Sequence, residues 1–292
     1  MDTVFLSTEN IPIREVHHPL LAEQGIKLFV KRDDLIHPFI SGNKWRKLKY
    51  NVEEMQRQGK GMMLTFGGAY SNHILATAAA GKQLGFMTTG IIRGEEPLEK
   101  NSILRKAEDF GMQLHFISRE DYSRKNSTEF QSELHKKFGD FYIVPEGGAN
   151  ILGVKGCEEI LREIKMEYSH ICCCCGTGTT LAGIISSLPA GKKAIGFCVH
   201  KGVEGVTENI NRWTENSNNY ILIDDYHFGG FAKSTPELKK FATAFSGETG
   251  IPIEPVYTAK MFFGIFDLIK KDFFKRGSVL MALHTGGIHN SL

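Results

Sequence analysis

A lysine and a distant glycine loop are the features of this 292-residue chain with the clearest chemical use. Lys44 follows Gly42 and Asn43, where the glycine permits a tight turn, and Lys47 adds a second cation one helical turn later. Far downstream, the loop of Gly176, Thr177, Gly178, Thr179 and Thr180 follows an apolar run and opens a helical pattern. Backbone N–H groups and hydroxyls at a helix start stabilise a phosphate. A lysine amine can form a Schiff base, so the two features together predict a ligand with a carbonyl group and a phosphate.

Pyridoxal phosphate (PLP) is a cofactor that carries both groups. A nucleophilic lysine must be neutral, although its ordinary pKa is about 10.4. A partly desolvated cleft lowers that pKa. Taken alone, Lys44 is more typical of a solvated surface lysine, and it is the glycine loop that favours the functional interpretation.

Two further motifs offer candidate residues on the substrate side. Ser71, Asn72 and His73 lie between a predicted strand and a predicted helix, and Ser71 is placed to cap that helix. The free N–H groups of such a helix start suit the carboxylate of an amino acid, although an ordinary capped helix explains the same residues. Tyr257 precedes another predicted helix and acts as an acid or base only if it faces a cleft.

The glycine loop also raises a dinucleotide-binding interpretation. That fingerprint needs a third glycine where Leu181 stands, and Gly183 comes too late. No acidic residue follows about 20 positions on, at 197–200. The sequence therefore favours phosphate binding without a dinucleotide.

The overall composition limits the classes of partner that this protein is expected to bind. A net charge of +2 gives no electrostatic signature of a nucleic-acid partner. No apolar stretch approaches membrane-spanning length, and the first residues lack the basic-then-apolar pattern of a secretory signal. These features predict a protein that binds neither nucleic acid nor membrane.

Six cysteines lack the spacing of a disulfide framework, which predicts a reducing cytoplasm. Four of them are consecutive, Cys172 to Cys175. Neighbouring side chains on a strand point to opposite faces, so these thiols cannot converge on one metal ion. The run predicts a buried strand filled by small side chains, and no metal site.

Short apolar runs alternate with longer amphipathic ones, a pattern typical of parallel sheets covered by helices. Strands are predicted at 62–66, 86–92, 113–117, 141–144, 170–175, 194–199, 220–223 and 279–283. Helices are predicted at 72–84, 98–110, 154–166, 179–187, 235–245 and 258–274. The fold class is therefore α/β with two lobes, each a mostly parallel sheet covered by helices. Residues 48–145 form a small inserted domain, 1–47 and 146–292 form the large one, and the ligand is expected in the crevice between them.

Seven segments in order resemble the ACC deaminase/D-cysteine desulfhydrase family of PLP-dependent enzymes, which has the tryptophan synthase β-like fold. They are KRDD at 31–34, GNKWRKL at 42–48, GAYSNH at 68–73, EGG at 146–148, the loop at 176–183, EPVY at 254–257 and HTGG at 284–287. No single motif is decisive, but seven in register are highly specific.

The resemblance implies a role for each candidate residue and a homodimer. Lys44 would form the Schiff base, and Lys47 with Gly176, Thr177, Gly178, Thr179 and Thr180 would hold the phosphate. Asn72 would contact the phenolic oxygen of PLP, and Ser71 the carboxylate or reacting carbon of a small amino-acid substrate. His73 and Tyr257 would lie on the substrate side.

Two positions separate the activities within this family. By this resemblance, ACC deaminases have a glutamate directly after the tyrosine that corresponds to Tyr257. This chain has Thr258 there instead, and its neutral hydroxyl would meet the ring nitrogen of PLP. Within 226–233, Gly230 or Phe231 stands where the family has a second active-site tyrosine, and Tyr226 is a candidate substitute for it. The first difference favours β-elimination from D-cysteine to pyruvate, ammonia and sulfide, and the second counts against opening of a cyclopropane ring. The alternatives are deamination of 1-aminocyclopropane-1-carboxylate (ACC) to 2-oxobutanoate and ammonia, or amino-acid binding without turnover.

Overall fold

Two sheets organise the part of the chain that the computed structural model describes, residues 6–215 and 218–288. The strands are β1 (Ile13–Val16), β2 (Lys27–Lys31), β3 (Met62–Gly68), β4 (Met87–Arg93), β5 (Gln113–Ile117), β6 (Tyr142–Val144), β7 (His170–Cys175), β8 (Lys193–Cys198), β9 (Tyr220–Ile223) and β10 (Val279–Leu283). The α-helices are α1 (Pro19–Gln24), α2 (Asn43–Arg57), α3 (Asn72–Leu84), α4 (Ser102–Asp109), α5 (Arg119–Ser123), α6 (Thr128–Phe138), α7 (Ile151–Arg162), α8 (Thr179–Ser186), α9 (Glu204–Trp213), α10 (Pro236–Thr249) and α11 (Thr258–Lys270).

The larger sheet has the strand order β1-β2-β10-β7-β8-β9, and the smaller has the order β5-β4-β3-β6. Every neighbouring pair is parallel except β1 and β2. The predicted α/β class with two mostly parallel sheets is confirmed. All strands of the smaller sheet lie within 48–145, but position 47/48 falls inside α2, so the helix continues across the predicted domain boundary.

The central strand β7 is buried on both faces. Cys172 and Cys174 pack in the cluster that includes Phe262 of α11, whereas Cys173 and Cys175 pack in the cluster that includes Leu181 of α8. All the cysteines are buried free thiols. The predicted role of the cysteine run as core filling in a doubly covered strand is therefore confirmed.

The structure adds elements that the sequence patterns do not predict, namely β1, β2, α1, α2, α5, α6 and α9. Of these, α2 matters most because it carries Lys44 in its first turn and Trp45, Leu48 and Val52 in a buried cluster with Met63 of the smaller sheet. Among the described helices, none combines the length and apolar character that a bilayer crossing requires.

Candidate active site

A cavity of about 510 Å³ brings the predicted residues together. Its lining comes from the carboxyl ends of strands in both sheets and from the first turns of α2, α3 and α8. The predicted residues in this lining are Lys44, Lys47, Ser71, Asn72, His73, Gly176, Thr177, Gly178, Thr180 and Tyr257. Thr179 and Thr258, which were also predicted, do not line it.

Lys44 is held at the cavity by a turn that only glycine can make. Gly42 has φ +61°, and a Cβ there would lie 2.0 Å from the carbonyl oxygen of Thr285. The half-buried Lys44 donates a hydrogen bond to Asn43 Oδ1 at 2.6 Å, and its Nζ lies 5.9 Å from the centroid of the Tyr257 ring. Burial, and then the charge of Lys47, lower the pKa of Lys44 to about 7. A large share of this amine is therefore neutral near neutral pH.

The loop at 176–180, between β7 and the first turn of α8, forms the candidate phosphate site, which we call the phosphate cup. No side chain of the described residues caps the helix that begins there. Gly178, the residue before α8, has φ +82° and leaves the first N–H groups of the helix without a side-chain acceptor. The hydroxyls of Thr177 and Thr179 are hydrogen-bonded at 2.8 Å, and Thr179 is fully buried and does not line the cavity. Asn43 Nδ2 donates to Thr180 Oγ1 at 2.8 Å and so joins the cup to the helix of Lys44.

These residues fit PLP. An uncapped helix start is a site for a phosphate, and the amine that would react with the aldehyde lines the same cavity. Lys47, whose Nζ donates to the carbonyl oxygen of Gly147 at 3.2 Å, adds a second lysine to the same lining. The aldehyde and the phosphate of PLP would therefore each have a partner in the same cavity.

The start of α3 contributes a cap and a neutral imidazole. Ser71 Oγ accepts the N–H of Ile74 at 3.3 Å. Thr65 Oγ1 donates to the carbonyl oxygen of Val144, so it accepts from His73 Nε2, which lies 2.9 Å away. The other ring nitrogen of His73 is then a buried acceptor with no partner among the described residues. Burial, followed by the nearby lysine charges, lowers the pKa of His73 to about 3, so the ring is neutral.

Glu254 is a buried carboxylate that sequence reasoning did not single out. It accepts the backbone N–H groups of Val256, Tyr257 and Thr258 at 2.7, 2.8 and 2.9 Å. Burial raises its pKa, and these N–H groups oppose that rise. The motif spacing from 254 to 258, with a carboxylate just before a helix start, is the signal that could have indicated this cap.

The hydroxyl of Thr258 takes part in the same helix cap. Its Oγ1 accepts the backbone N–H of Glu254 at 2.9 Å, and its side chain is fully buried. Thr285 lines the cavity instead, and it belongs to the 284–287 motif that sequence analysis quoted without a role. The contact of Thr258 with the ring nitrogen stays a prediction.

Phe231 is the aromatic partner of Tyr257 at the cavity. The two ring centroids lie 5.8 Å apart in an edge-to-face arrangement. Tyr226 does not line the cavity, and its hydroxyl donates to Asp267 Oδ2 at 2.7 Å. Phe231 therefore occupies the cavity wall beside Tyr257 with a side chain that has no hydroxyl, and Tyr226 does not supply one.

Comparison with known proteins gives four consistent matches. The family model described as "Pyridoxal-phosphate dependent enzyme" matches residues 5–286. A "Putative 1-aminocyclopropane-1-carboxylate deaminase" of Pyrococcus furiosus is 32% identical over 90% of this chain and 85% of its own. A "Bifunctional D-cysteine desulfhydrase/1-aminocyclopropane-1-carboxylate deaminase, mitochondrial" of Arabidopsis thaliana is 30% identical over 90% of this chain and 73% of its own. The solved structure of an "ACC deaminase homologue" has a TM-score of 0.79 and 29% identity, over 97% of this chain and 91% of that one.

Proposed function

Because the chain belongs to the family of pyridoxal-phosphate dependent enzymes, we propose that it is a lyase that cleaves D-cysteine to pyruvate, ammonia and sulfide. The observation that carries this proposal is the position of Lys44. Its amine, with a pKa lowered to about 7, shares one cavity with an uncapped helix start and with Tyr257.

The residues that would hold PLP follow from that geometry. Lys44 would bind the aldehyde carbon, while Lys47, Thr177, Gly178 and Thr180 would surround the phosphate. When bound, PLP supplies an electron-withdrawing ring that makes the Cα proton of an attached amino acid acidic. We propose a threonine hydroxyl, from Thr258 or Thr285, as the partner of its ring nitrogen.

The side chains of this protein then handle the substrate and its protons. The N–H groups at the start of α3, with Ser71, would orient the substrate carboxylate. Lys44 Nζ would accept the Cα proton, since its neutral form is available near pH 7. Burial, and then the nearby Glu254, raise the pKa of Tyr257 above its ordinary value. Its hydroxyl therefore keeps its proton and can donate to the departing thiolate.

The wall beside Tyr257 supports elimination from D-cysteine over opening of a cyclopropane ring. The resemblance connects ring opening with a second tyrosine, and Phe231 offers no proton there. Deamination of ACC is the second candidate, because a relative at 32% identity carries that name.

Purified protein loaded with PLP tests this proposal when it is supplied separately with D-cysteine, L-cysteine and ACC. Sulfide and the 2-oxo acids are measured, with Lys44→Ala as the inactive control. We expect sulfide and pyruvate in equal amounts from D-cysteine. Release of 2-oxobutanoate from ACC without reaction of D-cysteine would establish the second candidate instead. PLP binding with no product from any of the three would indicate amino-acid binding without turnover.

A reducing compartment such as the cytoplasm and a homodimer complete the proposal. The cysteines support the first, because all six are buried thiols without disulfides. The second comes from the family resemblance, and light scattering of the purified protein measures it.

A further inference from the structure

Lys260, in the first turn of α11, is a fully buried cation held by backbone carbonyl groups. Its Nζ donates to the carbonyl oxygens of Val199, His227 and Gly230 at 3.1, 2.8 and 2.8 Å. No carboxylate of residues 6–215 or 218–288 forms an ion pair with it. The three carbonyl oxygens compensate for the hydration that the ammonium group loses on burial. In return, the ammonium group gives each of these carbonyl groups a fixed hydrogen-bond donor.

The three carbonyl groups come from parts of the chain that meet at the cavity. Val199 follows β8 and precedes His200, whose Nε2 is hydrogen-bonded to the carbonyl oxygen of Gly176 in the phosphate cup at 2.9 Å. His227 and Gly230 belong to the segment 227–232, which we call the 227–232 loop. One ammonium group therefore connects this loop to the end of β8 and to the helix that begins after Tyr257.

The 227–232 loop has a strained backbone, and part of it packs on α11. The rings of Phe228 and Phe263 lie edge to face with their centroids 5.0 Å apart. Phe228 and Ala232 have φ +51° and +56°, a region that costs energy for residues other than glycine. Inside the loop, Gly230 N donates to the carbonyl oxygen of His227 at 3.0 Å, and Gly229 N donates to His227 Nδ1 at 2.9 Å. Phe231 and Ala232 nevertheless line the cavity, and Phe231 is 43% exposed at its opening.

We propose that Lys260 is a positioning residue that holds the 227–232 loop over the cavity and fixes Phe231 against Tyr257. Through this loop, and resting on the proposed function, Lys260 limits which β-substituents a substrate can carry. Phe231 offers an apolar edge at that place, which favours a small uncharged group such as a thiol over a charged one. Lys260 acts through the loop and does not line the cavity.

Two variants test this role. Lys260→Met keeps the length of the side chain and removes its charge, and Lys260→Ala also leaves space among the three carbonyl groups. Lys270→Met is the control, because Lys270 is an exposed lysine of the same helix. Hydrogen exchange of peptides covering 226–233 is measured in the protein without substrate, and KM and kcat are measured with D-cysteine.

We expect exchange in 226–233 to become about tenfold faster in both Lys260 variants, while peptides of β7 keep their protection. We expect KM for D-cysteine to rise about tenfold with a smaller change in kcat, because bound substrate meets the same Lys44. Potassium is an ion that rings of backbone carbonyls coordinate, so K⁺ should restore protection to Lys260→Ala, and tetramethylammonium should not. Lys270→Met should behave as the unaltered protein.

Unchanged exchange in 226–233 for a folded Lys260 variant would overturn the proposal. Exchange that rises equally in β7 and in 226–233 would overturn it too, because it would indicate general loss of packing. If both variants fail to fold, K⁺ added during refolding of Lys260→Ala must recover folded protein, or the carbonyl site is not what Lys260 stabilises. If the unaltered protein releases no 2-oxo acid, the proposed function fails, and the exchange measurement still decides whether Lys260 holds the loop.

Discussion

Lys44 owes its neutral form to its surroundings. An ordinary lysine with a pKa of about 10.4 has fewer than about one neutral amine in a thousand at pH 7. Burial is the larger cause of the lowered pKa of Lys44, the charge of Lys47 is the second, and Glu254 opposes both. Neutral amine is present above pH 7 and is lost as the pH falls through that value.

This titration predicts the pH dependence of covalent PLP uptake by the apoprotein. The rate of attachment should rise with pH through a midpoint near pH 7 and level off above it, because only the neutral amine attacks the aldehyde. Stopped-flow absorbance measures the rate, and borohydride reduction followed by peptide mapping should place the label on Lys44. Lys47→Met should move the midpoint to higher pH, since it removes a neighbouring positive charge. A midpoint above about pH 9 would show that Lys44 behaves as an ordinary lysine.

Helix packing sets the distance between the lysine and the phosphate cup. The helix α7 lies against α2 so closely that a Cβ on Gly156 would sit 1.8 Å from the carbonyl oxygen of Arg46. On its other side, a Cβ on Gly183 of α8 would lie 2.5 Å from Cys157 of α7. Lys44 begins α2 and the cup begins α8, so two glycine contacts fix how the halves of the site face each other.

Gly156→Ala should therefore separate α2 from α7 and destabilise the protein by about 1–3 kcal/mol, the usual range for overpacking. Gly247→Ala is the matched control, because Gly247 also lies in a helix and a Cβ there would meet nothing within 4 Å. That substitution should stabilise the protein by about 0.5–1 kcal/mol. Urea unfolding measures both, and PLP affinity should fall only in Gly156→Ala. Equal stabilities for the two variants would mean that the α2–α7 contact accommodates the added methyl group without loss of stability.

Local signals account for the elements that the sequence predicts well. The strand β7 is a continuous apolar run, and α3 has Ser71 as its cap and Gly85 in a left-handed conformation at its end. The prediction fails for β2 and α2, where Lys31 and Arg46 are buried charges whose partners lie far along the chain. No local pattern shows that a charged residue will be buried by a distant carboxylate.

The same limit applies inside the candidate site. The motifs indicated which segments meet, because a lysine, a glycine cup and a capped helix start are each recognisable alone. They did not indicate that Thr258 would bond to Glu254 while Thr285 lines the cavity. The choice between Gly230 and Phe231 beside Tyr257 also needed the backbone of the loop.

At the scale of the whole molecule, a buried ionic cluster connects distant parts of the chain. Asp33 accepts from Lys31 Nζ and from Arg46 Nε at 2.6 Å, and Glu163 Oε2 accepts from Lys31 and Arg46, each at 2.7 Å. The backbone carbonyl of Asp33 also accepts the N–H of Gly42, in the turn before Lys44. The cluster therefore joins β2, the start of α2 and the residue after α7 around the turn that places the reactive lysine.

Asp33→Asn should destabilise the protein by about 3–5 kcal/mol, because Lys31 and Arg46 would share only one carboxylate in a buried setting. Asp140→Asn makes the same chemical change in the exposed pair of Lys60 and Asp140, and should cost no more than about 1 kcal/mol. Urea unfolding at pH 7 compares them. Burial pushes the pKa of Glu163 up, but Arg46 and Lys31 hold it below its ordinary value, so its stabilisation is present above that value and is lost in acid. Asp33→Asn, which starts from a lower stability, should therefore begin to unfold at a higher pH than the unaltered protein. Equal losses of stability in urea for Asp33→Asn and Asp140→Asn would show that the cluster does not hold β2, α2 and the end of α7 together.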